Sequence, residues 1–92
     1  MIRVHVSGHL KDYTGKKRDF DLPPESKNLA ELIEQLNTMF PGIKDRIFDD
    51  QERTRPYVNI FVNGENARDL KEEVTTLKDG DIVHVLPSVA GG

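Results

Sequence analysis

Ninety-two residues with 13 basic and 16 acidic side chains carry a formal charge of −3, without the basic excess that neutralising a nucleic-acid backbone requires. The chain has no cysteine, which excludes a disulfide framework, a thiolate metal site and a cysteine nucleophile, and which is compatible with a reducing cytosol. Leu, Ile, Val and Phe together exceed a quarter of the residues, enough for one small folded domain and above the level at which a charged sequence stays disordered.

In chain order, Ile2, Val4 and Val6 alternate with Arg3 and His5, the two-residue period of a half-buried strand. The polar positions in this opening stretch do not form a signal peptide, and no apolar run reaches membrane-spanning length, so the chain reads as soluble and cytoplasmic, with no membrane partner. Gly8 and Gly15 bracket a turn. Phe20 and Leu22 alternate with Asp19 and Asp21 before Pro23 and Pro24 end the pairing, which predicts a second strand hairpinned to the first. Leu29, Leu32, Ile33, Leu36 and Phe40 then recur at helical spacing. Asn28 and Glu31 supply a capping box at the start of this helix, and Pro41-Gly42 ends it.

Ile43, Ile47 and Phe48 suggest one further helical turn, followed by an exposed loop over residues 49–53. Val58, Ile60 and Val62 resume the strand period, leaving Tyr57, Asn59 and Phe61 on the opposite face. Asn63-Gly64 is a strong hairpin signal, because both central residues of the favoured turn need positive φ. It predicts a short fourth strand around Ala67 to Leu70. Asp79-Gly80 makes another turn before residues 82–86, which are apolar on both faces and so predict a central strand, with Pro87 ending its pairing.

The order β-β-α-β-β-β implies an α+β fold: a mixed sheet packed on one long helix, with the first and last strands side by side and a right-handed crossover carrying the helix across. That is the β-grasp, or ubiquitin-like, arrangement. The domain organisation is a β-grasp over residues 1–87 and a flexible C-terminal tail over residues 88–92 that ends in a diglycine. Five residues beyond Pro87 reach about 16–18 Å when extended. Glycine lets the backbone approach walls that a Cβ would keep away, so such a tail can thread a narrow active site. The plain alternative is a frayed terminus.

The residues Val58-Asn59-Ile60-Phe61-Val62-Asn63-Gly64, the turn Leu77-Lys78-Asp79-Gly80-Asp81 and the tail Leu86 to Gly92 together resemble the MoaD/ThiS family of ubiquitin-like sulfur carriers. The stretch Arg55-Pro56-Tyr57-Val58-Asn59-Ile60 is most similar to its CysO-like, cysteine-synthesis branch. The resemblance implies a carrier rather than an enzyme: a protein-borne sulfur donor, or the small non-catalytic subunit of a synthase. In that family an E1-like enzyme uses ATP to adenylate the terminal carboxylate, here that of Gly92, which a sulfur donor converts to a thiocarboxylate. Activation is needed because a carboxylate ionised at pH 7 is a poor electrophile. Val89, Ala90 and Gly91 would thread the partner's site. No cofactor is expected on the chain, and ATP belongs to the activating partner. The acceptor enzyme would be a pyridoxal-phosphate-dependent cysteine synthase or, next in order, the large subunit of molybdopterin synthase. A ubiquitin-like modifier joined to target lysines needs the same activated Gly92, and an interaction domain with an inert tail is the third reading.

Phe61 lies against the apolar parity of its strand, and Leu86 against that of Val83 and Val85. They are expected to share the uncovered sheet face and, with Pro87, to form a docking patch next to the tail, unless residues 43–56 cover it. Other candidates are weaker. His5 and His9 straddle a strand end and do not have helical ligand spacing, so no metal site is expected. Asp49/Asp50 and Glu72/Glu73 lie in polar stretches with nothing apolar to raise a pKa. Lys16-Lys17-Arg18 is a short basic run of ordinary surface type, and no glycine-rich phosphate loop occurs.

Overall fold

The computed structural model describes residues 1–87. Strands β1 (Ile2–Val6) and β2 (Asp19–Leu22) form an antiparallel hairpin that sets Ile2 opposite Leu22 and Val4 opposite Phe20. These four side chains are buried, while Arg3 and Asp21 pair on the outside in a two-pronged contact of 2.9 and 3.1 Å. A 3-10 turn (Gly8–Tyr13) occupies part of the connection between the strands and buries Leu10.

Helix α1 (Leu29–Met39) buries Leu29, Leu32, Ile33 and Leu36, the stripe its spacing predicts. Phe40 belongs to the end of the helix, half-buried, with its ring centroid 4.9 Å from that of Phe20. Asn28 caps the first turn by accepting the Glu31 amide at 2.9 Å. The Glu31 carboxylate reaches back one residue further than a standard capping box, to the Lys27 amide at 2.8 Å. Helix α2 (Ile43–Ile47) adds Ile43, Ile47 and the following Phe48 to the core.

Strand β3 (Val58–Val62) turns through Asn63 and Gly64, with φ of 52° and 87°, into β4 (Glu65–Asn66). The fourth strand is therefore shorter and earlier than the one expected around Ala67 to Leu70. A two-residue turn puts Glu65 directly opposite Val62, so pairing starts at once. It stops at Asn66 because that side chain accepts the Arg68 amide at 3.0 Å and opens a 3-10 turn over Ala67–Asp69.

Strand β5 (Ile82–Pro87) pairs in parallel with β1 and antiparallel with β3, giving the order β2-β1-β5-β3-β4 with β5 at the centre. The last strand is thus central, next to the first, and the mixed sheet lies under one long helix as a β-grasp requires. The start of β5 is braced by side chains. Asp81, only 5 % exposed, accepts from the Asn63 amide group at 3.0 Å and from the Lys78 backbone at 2.9 Å. Asn63 in turn accepts the Ile82 amide at 2.9 Å. Among the described residues, no helix is long and apolar enough to cross a membrane.

Candidate functional site

The sheet register decides which side chains surround the root of the tail. On β5, Val83, Val85 and Pro87 point to the helix, and Ile82, His84 and Leu86 point away from it. Phe61 lies directly opposite His84, and Leu86 opposite Asn59. Phe61 and Leu86 are therefore diagonal neighbours on the outer face, within reach of each other across the two strands. Leu86 is 37 % exposed and Phe61 half-buried. Of residues 43–56, Ile43, Ile47 and Phe48 are turned into the core beside α1, whereas Arg55 and Pro56 are tied through Arg68 to Asn59, the residue opposite Leu86.

Pro87 departs from the expectation that it is a docking contact. It is buried, on the parity of Val83 and Val85. Its ring sits against Gly8, so close that a Cβ at Gly8 would come within 3.1 Å of the proline Cγ. Gly8 also has a φ of +63°, which an L side chain adopts only with strain. The pair anchors the point where the chain leaves the sheet. Gly8 reads in the sequence as a turn residue, and nothing in the spacing foretells its contact with Pro87.

A polar row that the sequence reading missed crosses the outer face beside Phe61. Asp19, His5, His84 and Phe61 are successive register partners on β2, β1, β5 and β3. Asp19 holds the His5 ring through Nδ1, the His5 and His84 rings lie edge-on at 5.8 Å, and His84 Nε2 is 2.8 Å from Ser7 Oγ. Partial burial lowers the pKa of His84 below its ordinary 6.5, helped by the nearby His5 and Arg18 and opposed by Asp19. The face next to the tail is therefore neutral at His84 at physiological pH. The only sequence signal for the row is the matching position of His5 and His84 on two strands that turn out to be parallel neighbours.

The other sequence candidates take structural places. Among the described residues, no three His, Asp or Glu side chains converge as metal ligands. His9 is exposed on the 3-10 turn, away from the His5–Asp19 pair. Asp49 accepts the amides of Gln51 and Arg53, which holds its carboxyl below the usual range. For Glu73, partial burial alone would raise the pKa, but the Thr54 amide and hydroxyl, both at 2.8 Å, outweigh it and leave the carboxyl lowered. These groups are loop fasteners. Val89, Ala90, Gly91 and Gly92 lie outside the described residues.

A mixed five-stranded sheet with its last strand at the centre, packed on one long helix, defines the β-grasp class of ubiquitin-like proteins. Comparison with known proteins narrows it. The ThiS family model matches residues 4–92. Sulfur carrier protein CysO of Mycobacterium tuberculosis is 31 % identical over 99 % of this chain and 98 % of its own. Small archaeal modifier protein 3 of Haloferax volcanii is 30 % identical over 90 % and 89 %. Among solved structures, a chain of the Amycolatopsis orientalis BexX/CysO complex superposes with a TM-score of 0.88 at 28 % identity, each chain covered completely. The chain belongs to the ThiS family, and within it is CysO-like.

Proposed function

We propose that this protein is a sulfur carrier whose Gly92 carboxylate is adenylated by an E1-like enzyme and converted to a thiocarboxylate for biosynthesis, with cysteine synthesis as the favoured destination. One observation carries the reading: the family match runs to Gly92, and the CysO relative is covered almost from end to end. In the first step a carboxylate oxygen of Gly92 attacks the α-phosphorus of ATP and pyrophosphate leaves. In the second, hydrosulfide released by the donor displaces AMP from the acyl carbon, the C–S bond forming as the acyl C–O bond to AMP breaks, and the thiocarboxylate is left with loss of a proton. The chain contributes the tail, its anchored root at Pro87 and a docking face at Phe61 and Leu86. ATP and the catalytic groups belong to the partners, which act in the cytoplasm. The acceptor is a cysteine synthase-like enzyme, with the molybdopterin synthase large subunit as the other destination. The absence of cysteine suits the role, since an internal thiol would attack its own acyl-adenylate.

Similarity to an archaeal modifier supports a second reading, conjugation of Gly92 to target lysines. Intact-mass analysis of the protein isolated from its own cells separates them. A sulfur-for-oxygen exchange at the C-terminus supports the carrier, protein-sized adducts support the modifier, and an unaltered mass under all growth conditions supports an inert tail. In vitro, deleting Gly92 is expected to abolish ATP-dependent activation while hardly changing the melting temperature. Activation of the shortened chain at the normal rate overturns the proposal.

A further inference from the structure

The five residues that follow Pro87 span at most about 16–18 Å. Any enzyme that takes Gly92 into its active site therefore brings the rim of that site against the surface around Pro87. This step rests on the tail function proposed above. Pro87 pairs with Val58, and Arg55, Pro56 and Tyr57 form the turn leading into Val58, closed by the Val58 amide on the Arg55 carbonyl at 2.9 Å, so this turn sits at the end of the sheet where β5 finishes. On the other side, Gly8 begins the 3-10 turn that ends at Tyr13, whose ring packs against Gly42 just before α2.

Two arginines join these segments. Arg46 of α2 donates its Nε–H to the Tyr13 hydroxyl at 2.5 Å and lies 5.8 Å from the centre of that ring. Arg55 donates its Nε–H to the Asp45 carbonyl at 2.8 Å. Both guanidinium groups are held by Nε alone, so among the described residues their terminal amino groups have neither a hydrogen-bond nor an ion-pair partner. Among the described residues Arg18 and Arg53 also lack a side-chain hydrogen bond or ion pair, but nothing fixes their orientation, and the remaining two arginines are occupied. Arg3 spends its fork on Asp21, and Arg68 spends its own on Asn59 and the Arg55 carbonyl. The nearby acids Asp45 and Asp49 interact with the Arg46 and Arg55 charges at a distance without forming an ion pair, and Asp49 spends its Oδ1 on backbone amides. Tyr57 stands exposed beside them.

We infer that Arg46 and Arg55, flanked by Tyr57, form a collar at the root of the tail that docks on carboxylates at the rim of the enzyme site receiving that tail. A guanidinium fixed through Nε presents two parallel N–H groups, the geometry that fits a carboxylate. Its orientation is set before binding, so little freedom is lost on docking. Because every enzyme that takes the tail must seat on the same root, the collar serves activation and sulfur delivery alike, whereas the Phe61 face is free to discriminate between partners.

The test compares the wild-type chain with the double variants Arg46→Gln/Arg55→Gln and Arg46→Lys/Arg55→Lys. Pyrophosphate release by the E1-like enzyme of the source organism is measured at low and at high salt, with melting followed in parallel. The glutamine pair is expected to lower kcat/KM about tenfold at low salt, through KM, and the deficit is expected to shrink at high salt as screening weakens the wild type. The lysine pair keeps the charge but not the fork, so it is expected to fall between wild type and the glutamine pair, and a lysine pair as slow as the glutamine pair at low salt overturns the charge-steered docking. A glutamine pair activated as well as wild type at both salts overturns the collar, as does a deficit that salt does not change. Failure of the wild-type chain to be adenylated at all overturns the carrier reading, and the collar with it. Should the glutamine pair melt early, single Arg55→Gln takes its place in the same comparison.

Discussion

The two faces of strand β5 are almost equally apolar in sequence and opposite in use. Val83 and Val85 on one face are fully buried under α1, while Ile82 and Leu86 on the other are 47 % and 37 % exposed. Hydropathy alone does not distinguish them. The register does: the buried residues are those set opposite Val4, Val6, Ile60 and Val62 on the neighbouring strands. Apolar side chains left uncovered on a central strand, next to the root of the tail, form a surface that a partner can use.

The largest effect on this contrast is expected from the covered face. Ile33→Ala removes a fully buried side chain from the helix stripe and is expected to cost about 2–5 kcal/mol, read as a lower denaturation midpoint with an unchanged slope. A midpoint that stays put would mean that α1 does not bury this residue. Next comes the junction between the faces. Gly8→Ala combines a strained positive φ with a Cβ 3.1 Å from the Pro87 ring, and about 1–2 kcal/mol of destabilisation follows. Here the sharper readout is structural, since amide resonances of Val85 and Leu86 should shift more than those of the far strand β4.

On the open face the balance reverses. Phe61→Asp places a carboxylate opposite His84 at a half-buried site, so melting falls by a few degrees at most, while binding to the activating enzyme weakens by several kcal/mol. A collapse in melting temperature would assign Phe61 to the core, and normal binding would remove it from the docking face. The smallest effect is a pH dependence. The folded pKa of His84 lies below its unfolded value of 6.5, so the unfolded chain binds more protons in the window between the two. Stability from this group is thus fully present above 6.5 and is lost as the pH falls through the folded pKa. His84→Gln is expected to flatten that part of the stability-versus-pH curve, and an unchanged slope would place the titration elsewhere.

How much of this could be read in the sequence depends on the range of the interaction. The helix was legible because Leu29, Leu32, Ile33 and Leu36 advertise one stripe within a single element. The diagonal pairing of Phe61 and Leu86 on one face was legible from parity, which is fixed once each strand exists. What escaped depends on contacts between segments far apart in the chain. The Gly8–Pro87 seat, the Asp19–His5–His84–Ser7 row and the Tyr13–Arg46 link each join residues brought together only by the completed sheet. The misplaced fourth strand has a local cause instead. Asn66 competes with the ladder by capping the next turn, a choice hydrophobic period does not register.

The parallel pairing of β1 with β5 also has a consequence for how the protein is made. The central strand follows all the others in the chain and pairs with the first of them and with β3, so the sheet cannot close until residues 82–87 have been made. Until then β1 and β3 present unpaired edges, which are sticky towards other chains. An interrupted product that stops before residue 82 therefore has no central strand on which to mount a tail, and it remains vulnerable to degradation. Any stretch of the chain short of residue 87 lacks the strand that joins β1 to β3, so the five-stranded sheet forms as a whole or not at all.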